Sequence, residues 1–251
     1  MISSPTRPDA PAATARADYG IDAPPVIRNL LLGGLLAIAV AVACSVPGGV
    51  RAPTLRITAI ITAAVCIAEA ALMVWSSRVG KLRLRDRLLD GLALRGDEAV
   101  LDVGCGRGLM LLGAARRLPR GRATGIDLWQ AKDLSGNDAR RTLANAHAEG
   151  VAERVELHTG DMRAMPFADA SFDAVVSNLA IHNLSAAGER RAAIREIGRV
   201  VKPGGRVLLV DIGGTGLYAE TLRELGWEVS RSGLHFEIFP PVLVVRGRKP
   251  D

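Results

Sequence analysis

The chain has 251 residues, of which 49% are hydrophobic and 23% are charged, so its composition excludes an intrinsically disordered protein. A formal net charge of +6 favours an anionic partner such as a membrane surface or nucleic acid. Aromatic residues make up only 4%, which argues against a stacking platform for single-stranded nucleic acid. The three cysteines, Cys44, Cys66 and Cys105, indicate neither a disulfide framework nor a zinc site.

The N-terminal part of the chain combines a polar tail with two apolar stretches. Residues 1–26 are rich in Pro, Ala, Asp and Ser without apolar periodicity, which predicts a disordered tail. Residues 29–46 carry no charge, and residues 57–75 carry only Glu69. As helices these stretches are about 27–29 Å long, close to the roughly 30 Å of a bilayer core. Residues 27–77 are therefore predicted to form a hairpin of two transmembrane helices.

Buried core helices and a signal peptide are the alternatives for these stretches. Residues 78–95 are predicted to form a basic juxtamembrane helix that contacts anionic headgroups. By the positive-inside rule, both termini and the following domain are expected in the cytoplasm. The arginine-rich composition suggests a bacterial inner membrane. The face formed by Gly33, Ala37 and Ala41 is expected to pack closely on another helix, and a partner protein is one candidate.

From residue 96 onward, apolar runs alternate with helical patterns. Strands are predicted over 99–103, 122–127, 154–158, 172–178, 206–211, 227–231 and 242–246. Helices are predicted over 109–118, 138–149, 188–201 and 217–225. This order predicts an α/β fold, a Rossmann-like doubly wound sheet of seven strands. The last two strands are joined by a short loop, which predicts an antiparallel edge.

The most informative string is VLDVGCGRG at 100–108, where a predicted strand ends in a glycine-rich turn that opens a helix. Glycines there permit a sharp turn and let a ligand lie against the main chain. Asp127 ends the next predicted strand, where a carboxylate can accept both hydroxyls of a ribose. The pattern predicts a nucleoside-cofactor site. Leu109 stands where a dinucleotide site has its third glycine, which disfavours NAD.

The region 96–246 resembles the class I S-adenosylmethionine-dependent methyltransferases of the type-11, ubiquinone/menaquinone-methyltransferase-like kind. Four motifs in family order carry the resemblance: LDVGCGRG, GIDLW, TGDMRAMPFADASFDAVVSNLAIHNL and EIGRVVKPGGRVLLVD. It implies S-adenosyl-L-methionine as cofactor and no metal. The resemblance implies that Asp102 orients the amino-acid end through water and that Gly104 and Gly106 approach the methionine and ribose parts. It places Asp127 at the ribose, Asn178 at the methyl-donor end, and four residues at the adenine, namely Leu128, Trp129, Asp161 and Met162.

Methyl transfer from a sulfonium needs mainly proximity and orientation, and a general base only where the acceptor must lose a proton. His182, four residues beyond Asn178, is the candidate base, and Asp211 at the end of the fifth predicted strand is a second candidate catalytic residue. The apolar segment 236–241 is expected to form a wall for the acceptor.

The expected function is membrane-anchored methyl transfer to a small, hydrophobic or amphipathic acceptor, with membrane lipid around the hairpin. Nucleic acid is not an expected partner, because an N-P-P-Y type sequence is absent and the basic residues cluster beside the apolar stretches. A non-catalytic S-adenosylmethionine-binding module with a membrane partner is the alternative, and an NAD(P)-dependent oxidoreductase is a third hypothesis. The sequence leaves open the acceptor, the methylated atom, the oligomeric state and the role of Glu69.

Overall fold

The computed structural model describes residues 16–47, 52–130 and 137–251. Its α-helices are α1 (Pro24–Ala43), α2 (Pro53–Trp75), α3 (Lys81–Asp90), α4 (Leu109–Ala115), α5 (Ala139–Ala148), α6 (Ala187–Val200) and α7 (Thr215–Glu224). Its strands are β1 (Ala99–Val103), β2 (Arg122–Asp127), β3 (Val155–Thr159), β4 (Phe172–Asn178), β5 (Val201–Asp211), β6 (Glu228–Arg231) and β7 (Leu243–Arg248).

The strands form one seven-stranded sheet in the order β3-β2-β1-β4-β5-β7-β6. The first five strands in this order are parallel, whereas β7 runs antiparallel to both β5 and β6. This confirms the predicted Rossmann-like mixed sheet, with the last strand of the chain inserted beside β5. The order of the sheet reverses between β1 and β4, which is where α/β folds of this kind bind ligands.

The sheet is covered by a separate apolar layer on each face, because successive residues of a buried strand point in opposite directions. On one face, Val100 of β1 belongs to a cluster with α3 and α4 residues such as Leu88 and Leu112. On the other face, Leu101 belongs to a cluster with Ile194 of α6 and other residues of α6 and α7. The two layers hold the carboxyl ends of the parallel strands in a fixed arrangement.

Helices α1 and α2 pack against each other through small residues. Gly34, Ala37 and Ala41 of α1 are buried, as is Ala63 of α2. A Cβ atom placed on Gly34 lies 3.4 Å from Cγ1 of Ile67, so the two backbones approach closely. Ala37 and Ala41 of the small-residue face predicted to contact another helix therefore pack within the hairpin itself, whereas Gly33 of that face is only half-buried.

Both helices are long and apolar enough to cross a membrane, with a mean hydropathy of 2.2 in each. Most of their apolar side chains point outward, and Leu36 and Ile61 are 68% and 58% exposed. The second helix continues from α2 through a π-helical turn, Ser76–Gly80, into α3. The helix predicted over 78–95 corresponds to this turn and α3.

The structure differs from the predicted disordered tail over residues 1–26. Residues 16–23 lie along the domain and are held by hydrogen bonds to side chains such as Asn145, Ser77 and Lys81. Residues 24–26 begin α1. Composition alone does not reveal partners that lie far away in the sequence. The rest of the predicted tail, residues 1–15, lies outside the described residues.

Candidate functional site

A cavity of about 520 Å³ lies at the carboxyl ends of β1, β2 and β4, at the point where the order of the sheet reverses. The predicted site residues that line it are Gly104, Gly106, Asp127, Leu128, Asp161, Met162, Asn178 and His182. The fold therefore brings together most of the residues that the sequence analysis assigned to the cofactor site. A volume of this size is typical of a small-molecule or cofactor site.

The glycine-rich turn forms the part of the cavity wall next to β1. Gly104 has a φ of +73°, and a Cβ atom there lies 2.2 Å from Cβ of Ala180, so no side chain fits at this position. The Gly104 amide donates to the Ile126 carbonyl at 2.8 Å, and the Thr142 hydroxyl donates to the Gly106 carbonyl at 2.6 Å. These bonds hold the bare backbone of the turn against the cavity.

Asp127 organises the cavity wall at the end of β2. Its Oδ2 accepts from the Gly106 amide at 2.9 Å, and its Oδ1 accepts from the Trp129 amide at 2.6 Å and from Nδ2 of Asn137 at 3.1 Å. The carboxylate is thus fixed in orientation, as a ligand for the two hydroxyls of a ribose must be. Asn137 also lines the cavity, and nothing in the sequence pattern singled it out.

Asp102 lies behind the glycine turn. Its side chain is 2% exposed, and Oδ2 accepts from the Leu111 amide at 2.8 Å. Oδ1 is buried and has no hydrogen-bond partner among the described residues. Burial raises the pKa of this carboxyl to about 7. Asp102 is not among the lining residues of the cavity, and its unpartnered Oδ1 leaves one acceptor for the predicted role in orienting the amino-acid end of the cofactor through water.

The predicted adenine end of the site agrees only in part with the structure. Leu128 lines the cavity, but Trp129 is not among the lining residues, and its Nε1 donates to Oγ1 of Thr159 at 2.9 Å. The left-handed backbone of Trp129, with φ of +57°, turns the chain away at this point. Both oxygens of Asp161 accept from Arg163, whose guanidinium holds the pKa of that carboxyl below its usual range.

The opposite end of the cavity carries the two candidate catalytic residues. Nδ1 of His182 lies 2.6 Å from Oδ1 of Asp211. Asp211 is 2% exposed, and its Oδ2 accepts from the His182 amide and from the Tyr218 hydroxyl, both at 3.1 Å. Burial, together with the neighbouring carboxylate, raises the pKa of Tyr218, so its hydroxyl remains a donor. His182 lines the cavity, whereas Asp211 supports it from behind.

Two further segments line the cavity. Ile238, Phe239 and Pro240 contribute an apolar stretch, whereas Phe236, which was expected in the same wall, is 68% exposed.

Residues before α1 and at the start of α3 also line the cavity, namely Tyr19, Asp22, Ala23 and Lys81. Sequence reasoning missed this second segment, because it assigned the residues before α1 to a disordered tail.

Residues 101–209 match the family model described as a methyltransferase domain. The chain is 28% identical over 158 residues to a ubiquinone/menaquinone biosynthesis C-methyltransferase of Dinoroseobacter shibae, a match that covers 63% of this chain and 57% of that protein. It is 33% identical over 150 residues to a 27-O-demethylrifamycin SV methyltransferase of Amycolatopsis mediterranei, covering 57% of this chain and 52% of that protein. The chain thus spans little more than half the length of these relatives.

Solved structures share the fold. The crystal structure of the [4+2]-cyclase SpnF has a TM-score of 0.56 and 23% identity, and the match covers 67% of this chain and 80% of that chain. A structure of S-adenosylmethionine-dependent methyltransferases from Methanosarcina mazei has a TM-score of 0.54 and 20% identity, covering 65% and 97%. The family-model match over residues 101–209, the methyltransferase relatives and the shared fold together support a class I S-adenosylmethionine-dependent methyltransferase.

Proposed function

We propose that the chain is a membrane-anchored methyltransferase that moves a methyl group from S-adenosylmethionine to a small, lipid-like or amphipathic acceptor. The observation that carries the proposal is the composition of one cavity. The glycine turn and Asp127 form a nucleoside-type wall, while His182 and the apolar stretch at 238–240 form the opposite wall. A cofactor and an apolar acceptor therefore have room side by side.

When bound, S-adenosylmethionine supplies a methyl group on a positively charged sulfur, and the protein's task is to orient the acceptor and to take its proton. Nδ1 of His182 lies next to the Asp211 carboxylate without an aligned hydrogen bond among the described residues, and we assign Nε2 as the nitrogen that accepts a proton from the acceptor. Asp211 accepts from the His182 amide and so positions the backbone that carries the imidazole. A positioned general base of this kind contributes about 10²–10⁴-fold to the rate.

The arrangement of the hairpin supports membrane anchoring. In the most apolar 18-residue segment of each helix, only 17% of the residues in the first and 22% in the second are buried. A helix in the core of a soluble protein is instead mostly covered by protein. Such an exposed apolar surface needs a bilayer or another apolar partner around it. Arg78 and Arg83 are exposed directly after α2, where contact with anionic headgroups is expected.

The contact between the cavity wall and the base of the hairpin supports an acceptor that comes from the membrane. The Phe239 amide donates to Oγ of Ser76 at 2.8 Å, and Phe239 packs against a cluster that contains Ile27 of α1 and Met73 of α2. The apolar wall of the cavity is thus continuous with the end of the two candidate spans. One curated relative is named for ubiquinone/menaquinone biosynthesis, which also favours a lipid-like acceptor.

The proposal is tested with membranes from cells that produce the full chain, incubated with methyl-labelled S-adenosylmethionine. We expect label transfer by the wild type, no transfer by Asp127→Ala, and a loss of about 10²-fold or more for His182→Ala. His147→Ala is the matched control, because His147 is exposed on α5, outside the cavity lining. Cofactor binding without transfer by the wild type, across membranes from several sources, would favour the non-catalytic binding module instead.

A further inference from the structure

Residues 16–23, called the strap below, cross the domain directly before α1 and close one side of the cofactor cavity. Tyr19, Asp22 and Ala23 line the cavity. Ala23 is also the N-cap residue of α1, so the strap connects the cavity to the first apolar helix. The strap lies outside the sheet.

Lys81, the first residue of α3, holds the strap from the domain side. Its ammonium group donates to the Tyr19 carbonyl at 3.0 Å, the Gly20 carbonyl at 2.8 Å and Oδ1 of Asp22 at 3.1 Å. An ammonium group has three donors, and all three are used by the strap. Lys81 is 4% exposed, and burial lowers its pKa, so the strap supplies the partners that this buried charge requires.

The other end of the strap is tied directly to the glycine turn. The Asp18 amide donates to Oδ1 of Asn145 at 2.8 Å, and Nδ2 of Asn145 donates back to the Asp18 carbonyl at 3.0 Å. The same Nδ2 donates to the carbonyl of Arg107 in the turn at 2.9 Å. The Tyr19 hydroxyl donates to Oε1 of Glu149 at 2.5 Å. The strap is thus fixed across the turn that lies against the cofactor.

The strap is held by hydrogen bonds and by two apolar side chains, since Tyr19 and Ile21 pack against apolar clusters of the domain and the hairpin base. Both side chains are only partly buried and Asp18 is exposed, so release of the strap uncovers less apolar surface than release of a core element. Segments held in this way open locally at a lower free-energy cost than core elements do. The cavity therefore has one wall that can open while the sheet and its helices remain folded.

We propose that Lys81 is a positioning residue that holds the strap closed over the cofactor cavity, and that the strap lifts to let the cofactor exchange. The inference rests on the proposed cofactor site. It predicts that loosening the strap accelerates both entry and departure of the cofactor, since the closed strap obstructs the same wall in both directions. A purely structural role for Lys81 predicts a lower thermal stability with unchanged exchange rates.

The test measures association and dissociation rates of S-adenosylhomocysteine with the full chain in lipid nanodiscs. Lys81→Met removes the three bonds from the domain side, and the double variant Tyr19→Ala/Asp22→Ala loosens the strap from its own side while Lys81 itself is kept. Lys202→Met is the matched control, because Lys202 also binds a carboxylate, that of Asp173, at the amino ends of β4 and β5, outside the cavity lining. Hydrogen exchange of residues 18–22 reports whether the strap is released.

In both variants we expect faster hydrogen exchange of the strap amides. We also expect the association and dissociation rates of S-adenosylhomocysteine to rise by roughly tenfold to a hundredfold, because the strap loses hydrogen bonds to a charged group. The control is expected to match the wild type. A released strap with unchanged cofactor rates would overturn the proposal, and so would strap amides that stay protected in both variants. If the wild type itself does not bind S-adenosylhomocysteine, the proposed function fails before the strap is in question.

Discussion

Replacing Asp102 by asparagine should change how the stability of the protein depends on pH. The carboxyl is 2% exposed behind the glycine turn, and burial raises its pKa to about 7 from an ordinary value of 3.8. Above pH 3.8 the unfolded chain has lost this proton, while the folded chain keeps it until about pH 7. The folded state therefore binds more protons in this window, and its stability declines as the pH rises through it.

The difference between 3.8 and about 7 corresponds to about 4 kcal/mol of stability lost once the pH is well above 7. About 2–3 kcal/mol of this loss falls between pH 5 and pH 8.5. Asparagine keeps an acceptor for the Leu111 amide but has no proton to lose. The free energy of unfolding of Asp102→Asn, relative to wild type, should therefore rise by about 2–3 kcal/mol over this range.

The assay is denaturant or thermal unfolding of the ligand-free full chain in detergent at pH 5, 7 and 8.5. Asp97→Asn serves as the control, because Asp97 is exposed and its replacement should shift stability equally at all three pH values. A stability difference between Asp102→Asn and wild type that stays constant with pH, or that falls as the pH rises, would mean that Asp102 does not keep its proton in the folded state up to about pH 7.

Three further substitutions probe the site. Asp127→Asn should weaken the binding of S-adenosylhomocysteine by roughly tenfold to a hundredfold in calorimetry, because it removes a charged acceptor; unchanged affinity would contradict the ribose role. Gly104→Ala should lower stability by about 2 kcal/mol or more and abolish cofactor binding, since its Cβ meets Ala180 at 2.2 Å; normal melting and binding would contradict this. Tyr218→Phe should lower kcat severalfold with unchanged cofactor affinity, because it removes the hydrogen bond from the Tyr218 hydroxyl to Asp211. An unchanged kcat would contradict a role of this hydrogen bond in positioning Asp211.

The sheet was predictable because its signal is local. Buried strands such as β1 and β4 are continuous apolar runs, and turn residues separate them from amphipathic helices. The start of β5 was less predictable. The sequence predicted a strand from 206, but the strand begins at Val201, and the register with β4 shifts between Phe172 and Ala174. Pro203, Gly204 and Gly205 are typical turn residues, so the sequence predicts a turn there. In the structure they lie within β5, where they form an irregularity in the strand.

The site was predictable where function is carried by backbone conformation and strand ends, and less so where side chains meet across the fold. Gly104 and Asp127 follow directly from the glycine turn and the end of the next strand. Lys81 does not, because its partners lie in a segment about 60 residues earlier that has no periodicity. For Trp129, the motif indicates its position in the chain, whereas the ring donates through Nε1 to Thr159, a contact that the sequence does not reveal.

A membrane-resident acceptor, as proposed, would carry its new methyl group into the lipid fraction. This is measured as the distribution of label after wild-type and Asp127→Ala membranes are incubated with methyl-labelled S-adenosylmethionine and extracted with organic solvent. We expect label in the organic phase that depends on Asp127. Asp127-dependent label that remains in the aqueous or protein fraction would contradict the lipid-like acceptor.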